Sequence, residues 1–176
     1  MHTKELIEQK IMDIFVWSKM EPGGLDEAEV SIQLGDDSTV GIPWDFDCKD
    51  LKQPLKKGAE SLFTGERITY SKQLRPQDPK TVSTKKTLLH SMVGQLKRML
   101  FPGSIHSLLK GQEIVDILLF HNADLPGCLE LQNGCIITET FVSPHGTGRA
   151  GLNLYQNLSE FEETHGTGYK RATQVL

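Results

Sequence analysis

Apolar residues recur at helical spacing over residues 3–20, where Ile7, Ile11, Ile14 and Phe15 divide from Lys10 and Asp13 onto opposite faces. With Thr3 as an N-cap and Pro22-Gly23-Gly24 as a stop, this pattern predicts a helix. The period then changes to two. Val30, Ile32 and Leu34 alternate with polar residues, as do Val40, Ile42 and Trp44 beyond Gly35-Asp36-Asp37-Ser38, which predicts a hairpin with one buried face. Leu34 and Val40 share that face only if the loop has an odd length, so a bulged turn is expected rather than a two-residue one. Residues 46–63 are weakly amphipathic with Lys49, Lys52, Lys56 and Lys57 outward, which suggests a short helix. Residues 67–70 suggest a strand, and residues 73–80 a loop broken by Pro76 and Pro79.

The broadest apolar stripe lies over residues 84–101, where Leu88, Leu89, Met92, Val93, Leu96, Met99 and Leu100 line one helical face and Pro102-Gly103 stops it. A short helix over residues 104–110 follows. From Glu113 the pattern is β: residues 114–120 form an apolar run of strand length, expected inside a sheet. Residues 129–132 and 135–142 flank Asn133-Gly134, a strong hairpin-turn signal. Residues 152–155 suggest another strand, and Ser159 with Glu162 has capping-box spacing for a short helix ending at Gly166. Residues 167–176 read as a loose tail. The expected architecture is α+β: one domain over residues 1–176, an antiparallel or mixed sheet, and helices packed mainly on one face. Its core is expected to join Leu88, Leu89, Met92 and Leu96 to Ile117, Leu119 and Leu129 or Ile136.

Composition narrows the class. The chain has 176 residues, enough for one core. With 38% hydrophobic and 24% charged residues it has a globular composition rather than a disordered one. The amino-terminal ten residues lack the apolar segment of a secretory signal, and no apolar run approaches a membrane span, so a soluble cytoplasmic protein is expected. Three cysteines leave at least one thiol unpaired within the chain. A two-residue turn at Asn133-Gly134 would set Cys128 opposite Glu139 and Gln132 opposite Cys135, leaving the sulfurs on the order of 10 Å apart, too far to bridge. All three read as free thiols.

Candidate chemistry is sparse. His145-Gly146-Thr147-Gly148 recurs as His165-Gly166-Thr167-Gly168. Each copy could offer backbone N–H groups to an anion, but each also suits a turn in which glycine supplies positive φ, and neither carries a P-loop lysine or a complete dinucleotide fingerprint. His121 and Asp124, just past the apolar strand, could join His145 in the two-histidine, one-carboxylate set that a divalent metal accepts. That set is the alternative reading: a small metal- or anion-dependent enzyme or ligand-binding protein built on strand-end loops. No nucleophile elbow or catalytic cysteine signature is present, so no catalytic residue is assigned and no cofactor is expected. Asp36-Asp37 is accounted for by turn chemistry, and Asp45 and Asp47 by a strand end.

Charge is distributed unevenly. Residues 67–98 carry eight basic side chains and one acid, Asp78, for +7; since the whole chain is −4, the remainder sums to −11. Such polarity suits docking to an oppositely charged partner, with Lys85, Lys86, Lys97 and Arg98 as the basic contact residues. Tyr70 is the single aromatic between residues 67 and 98, so nucleic acid is not the expected partner. The leading expectation is therefore a protein-binding module rather than an enzyme. In general character, though through no motif, the chain resembles the toxin-neutralising immunity proteins of bacteria.

Overall fold

The first apolar stretch is a strand. A computed structural model describes residues 1–19, 27–64, 105–120, 127–142 and 149–175. In it the expected helix over residues 3–20 is limited to a 3-10 turn, Thr3–Leu6, followed by β1, Ile11–Lys19. The cause is a bulge. The pairing register of β1 shifts between Ile11 and Asp13, and the extra residue sets buried Ile11 and Ile14 three apart, a spacing that imitates a helix turn. The β-branched and aromatic content of β1 favours the strand.

β2 (Glu27–Leu34) lies antiparallel to β1 and to β3 (Thr39–Gly41). The loop between β2 and β3 is odd in length as expected: Leu34 N–H donates to Ser38 O at 2.9 Å, and Asp37 takes positive φ. No helix forms over residues 46–63. Pro54 and Gly58 interrupt that stretch, and the chain instead runs beside β3, where Gly41 N–H donates to Leu51 O at 3.0 Å and Gln53 N–H to Thr39 O at 2.9 Å. It then adds β4 (Glu60–Ser61) to the other edge of β1, giving the order β3-β2-β1-β4.

The second sheet is also antiparallel, and its strand order β8-β7-β6-β5-β9 joins β5 (Ile114–Phe120), β6 (Cys128–Leu131), β7 (Ile136–Val142), β8 (Arg149–Tyr155) and β9 (Tyr169–Arg171). Asn133-Gly134 belongs to a three-residue loop rather than a two-residue one. Leu131 N–H donates to Cys135 O, and Gly134 sits at φ 82°. Asn133 ties that loop down by accepting from Cys135 N–H and donating to Leu108 O. The register therefore moves by one, and Cys128 faces Thr138 rather than Glu139.

Among the described residues three α-helices accompany the sheets: α1 (Ile105–Leu109), α2 (Leu158–His165) and α3 (Ala172–Val175). The cap of α2 is Asn157, whose side chain accepts from Glu160 N–H at 2.9 Å, not Ser159. Residues 169–175 are not a loose tail, since β9 pairs with β5 and α3 follows it.

Both sheets feed one apolar cluster. Ile11, Ile14, Val30, Ile32, Leu34 and Val40 meet Ile114, Ile117, Leu119, Leu129, Leu131 and Ile137 there. At one corner the sheets are stitched by backbone, with Glu8 N–H on Ile114 O and Ile11 N–H on Gln112 O. What covers the core face of the five-stranded sheet is thus largely another sheet, while Phe161 of α2 covers the opposite face over Leu118, Cys128 and Ile136. Leu109 of α1 and Ala172 of α3 enter the shared core, so the described helices are not gathered on one face. Of the expected core, Ile117, Leu119 and Leu129 belong to this cluster, Ile136 to the other face, and the residue 84–101 stripe lies outside the described residues.

Candidate functional site

Every site residue expected from the sequence falls outside the described residues: Lys85, Lys86, Lys97 and Arg98, and equally His121, Asp124 and His145. The described part holds other polar groupings, and each can be built from its strands.

On the outer face of the five-stranded sheet, Asp116, Glu130 and Arg171 stand on adjacent strands β5, β6 and β9. Arg171 Nη1 donates to Asp116 Oδ2 at 2.9 Å and also to Glu130. Asp116 further accepts from Thr173 Oγ1 at 2.8 Å and from the Thr173 and Ile117 amides. The two carboxylates hold the guanidinium firmly charged. Arg171, Asp116 and Glu130 are engaged with one another and Thr173 with Asp116, so this group clasps β9 and α3 onto the sheet.

Beside it lies an aromatic group. Phe120, Phe161, Tyr155, Tyr169 and His165 pack with ring centroids 5.0–6.2 Å apart. His165, from the second tetrapeptide copy, ends α2 and lies 2.7 Å through Nε2 from the Tyr155 hydroxyl. Burial lowers the His165 pKa and pushes Tyr155 up to about 12, so both are held neutral. Gly166 at φ 77° closes the helix, the turn role that glycine at this position serves.

No disulfide joins the three cysteines. The one-residue register change sets Cys128 and Cys135 on opposite faces, in separate apolar clusters. Burial pushes Cys128 up to about 12 and raises Cys135, which leaves neither as a thiolate nucleophile at neutral pH. Among the described residues no group of three His, Cys, Asp or Glu side chains is placed to hold a metal ion, and no helix is long and apolar enough to cross a membrane.

A different grouping faces solvent at the end of β3. Ile42 and Pro43 are buried, and the chain then turns Trp44 outward to 51% exposure, the most exposed tryptophan or phenylalanine described. The loop that carries it is tied to the amino-terminal turn at several points. Thr3 Oγ1 donates to Asp45 O at 2.9 Å, Thr3 N–H to Cys48 O at 3.2 Å, and Leu51 N–H to Met1 O at 3.1 Å. Pro43 is pressed against Gly127 of the other sheet so closely that a Cβ there would sit 2.0 Å from the Pro43 oxygen. Next to Trp44 in the chain are exposed Asp45, Asp47 and Asp50, and at the other end of β3 the turn from β2 carries exposed Asp36 and Asp37. The Ser38 hydroxyl and amide hold the Asp36 carboxyl below its usual range. With Lys49 as the one cation, residues 36–50 carry five acids against one base, for −4.

Strand-end and turn chemistry predicted these carboxylates as local structure. What the sequence pattern missed was Trp44: alternation placed it on the buried face with Val40 and Ile42, whereas β3 ends at Gly41, shortly before Pro43. The proline before it was the available signal.

Comparison of the chain with protein-family models, with curated proteins and with solved structures found no match.

Proposed function

We infer that this chain is a protein-binding module that docks a basic partner through the acidic surface around Trp44. The observation that carries this reading is an exposed tryptophan on a hydrogen-bonded loop that also carries exposed Asp45, Asp47 and Asp50. Tryptophan is enriched among the residues that dominate binding energy, because its large rigid surface costs little entropy to immobilise. Carboxylates at the rim steer a cationic partner and exclude acidic ones. The +7 stretch at residues 67–98 carries the opposite charge, and Lys85, Lys86, Lys97 and Arg98 within it are the residues proposed for an acidic contact. The same reading takes residues 1–176 as a single cytoplasmic α+β domain, supported by one core cluster fed by both sheets and by three cysteines outside any disulfide. An inhibitor or bacterial immunity-type protein would have this character, its target being a basic enzyme.

The test is co-purification from the native host with the wild-type chain and with Trp44→Ala as parallel baits. A partner of high isoelectric point retained by the wild type and lost by the variant supports the reading. A partner retained equally by both, or an acidic one, contradicts it.

A further inference from the structure

Five polar side chains are buried in the described structure: Thr3, Ser31, Asp116, Thr138 and Glu139. Four are satisfied. Thr3 donates to Asp45 O, Ser31 is bonded to Glu29 and Gln53, Asp116 is clasped by Arg171 and Thr173, and Thr138 donates to Gly127 O. Glu139, 8% exposed, has no side-chain hydrogen-bond or ion-pair partner among the described residues. Buried polar groups almost always find a partner, and a carboxylate is among the costliest to leave without one.

Its place in the fold makes the exception consequential. Glu139 lies two residues beyond Ile137 on β7, on the row that meets the four-stranded sheet, with Leu152 of β8 opposite it. On β8 the charged residue is Arg149, three register positions along and paired with Val142. On β6 the charged residue is Glu130, engaged on the opposite face by Arg171. From the four-stranded sheet comes a like charge, Glu29, which raises the Glu139 pKa further after burial has already done so, although Lys56 at 2.9 Å partly neutralises Glu29. At the end of that sheet Lys19 and Glu27 are backbone partners in register, and the Lys19 side chain is itself engaged. The polar tie described between β8 and β1 is one hydrogen bond, Ala150 N–H to Ser18 Oγ at 2.7 Å.

We propose that Glu139 is a proton-sensitive latch between the two sheets: protonated, it lets the β7–β8 pair lie against β1 and β2, and ionised, it loosens that pair locally without unfolding the chain. A neutral carboxyl fits an apolar seam, whereas a carboxylate without a counter-charge draws in water or leaves. The edge position of β8 allows such opening while β5 and β6 stay in place.

Amide hydrogen exchange at pH 5.5 and pH 8, expressed as protection factors so that the intrinsic rate cancels, reads the latch directly. The expected result is a loss of protection of about tenfold or more at Leu152 and Leu154 on raising the pH, with Leu118 and Leu129 unchanged. Glu139→Gln should abolish the difference. Protection that does not depend on pH, or that falls equally in Glu139→Gln, would overturn the proposal. Should the variant fail to fold, the wild type still decides through a carboxyl carbon NMR titration of Glu139. A midpoint coinciding with the loss of protection supports the latch, and a midpoint in the ordinary carboxylate range contradicts it.

Discussion

Gly127 sits where a side chain has no room, 2.0 Å from the Pro43 oxygen and 2.7 Å from Leu119 Cδ2 measured from an added Cβ. Because the first obstacle is backbone, Gly127→Ala should cost about 1–3 kcal/mol and displace the chain leading to Trp44. A urea melt and the tryptophan emission spectrum read the two effects separately. Glu139 carries a pH signature of its own. Folded, it keeps its proton up to about 7; unfolded, it gives the proton up near the ordinary glutamate value of 4.5. Stability should therefore fall as pH rises between those values and level off above them, and Glu139→Gln should gain on the order of 2–3 kcal/mol at pH 8 while matching the wild type below pH 4.5. Chemical melts of both proteins across pH check the sign. Thiol accessibility supplies a third expectation: in the folded protein Cys48, half-buried, should be alkylated before Cys128 and Cys135, with Cys128 slowest because burial keeps it protonated. Mass spectrometry of tryptic peptides after brief native labelling gives the order.

The strands that alternate cleanly were legible in the sequence: β2 and β3 with their odd loop, β5 as an interior strand, and the hairpin of β6 and β7. Where reading failed, a specific local feature interfered. The bulge at Met12 gave β1 a three-residue spacing, Asn133-Gly134 sat in a three-residue loop, and Asn157 capped α2 two residues before Ser159. β9 was illegible for another reason: three residues show no period, and what holds them is Arg171 reaching Asp116 and Glu130, far away in sequence. Of the candidate surface, the carboxylates were visible but the exposure of Trp44 was not, because side-chain burial depends on where the strand stops. The clasp gives an element-scale prediction. Asp116→Ala leaves Arg171 facing Glu130 alone and removes the acceptor for Thr173, so it should cost about 3–5 kcal/mol, discounted somewhat because Arg171 retains 23% side-chain exposure. Hydrogen exchange should localise the damage to residues 169–173, and uniform damage across both sheets would deny the clasp its local role.

Across the whole molecule, the two sheets depend on one core, so truncation on either side should be felt by both. Leu129→Ala, at a fully buried position, should cost about 2–5 kcal/mol and lower a single cooperative transition rather than splitting it. The same scale governs function, because the charge separation between residues 67–98 and the rest belongs to the chain as a whole. Exposed charges are screened over about 8 Å at physiological ionic strength, so in the proposed docking attraction to a basic partner would act mainly on the encounter, and Trp44 on the lifetime of the complex. The most direct measurement is the association and dissociation kinetics of the co-purified partner at low and high salt, for the wild type, the Asp45→Asn/Asp47→Asn double variant and Trp44→Ala. The expected result is an on-rate that falls with salt and falls again in the double variant, together with an off-rate at least about 30-fold faster in Trp44→Ala. An on-rate indifferent to salt and to both aspartates, with an off-rate unchanged by loss of Trp44, would contradict docking through this surface.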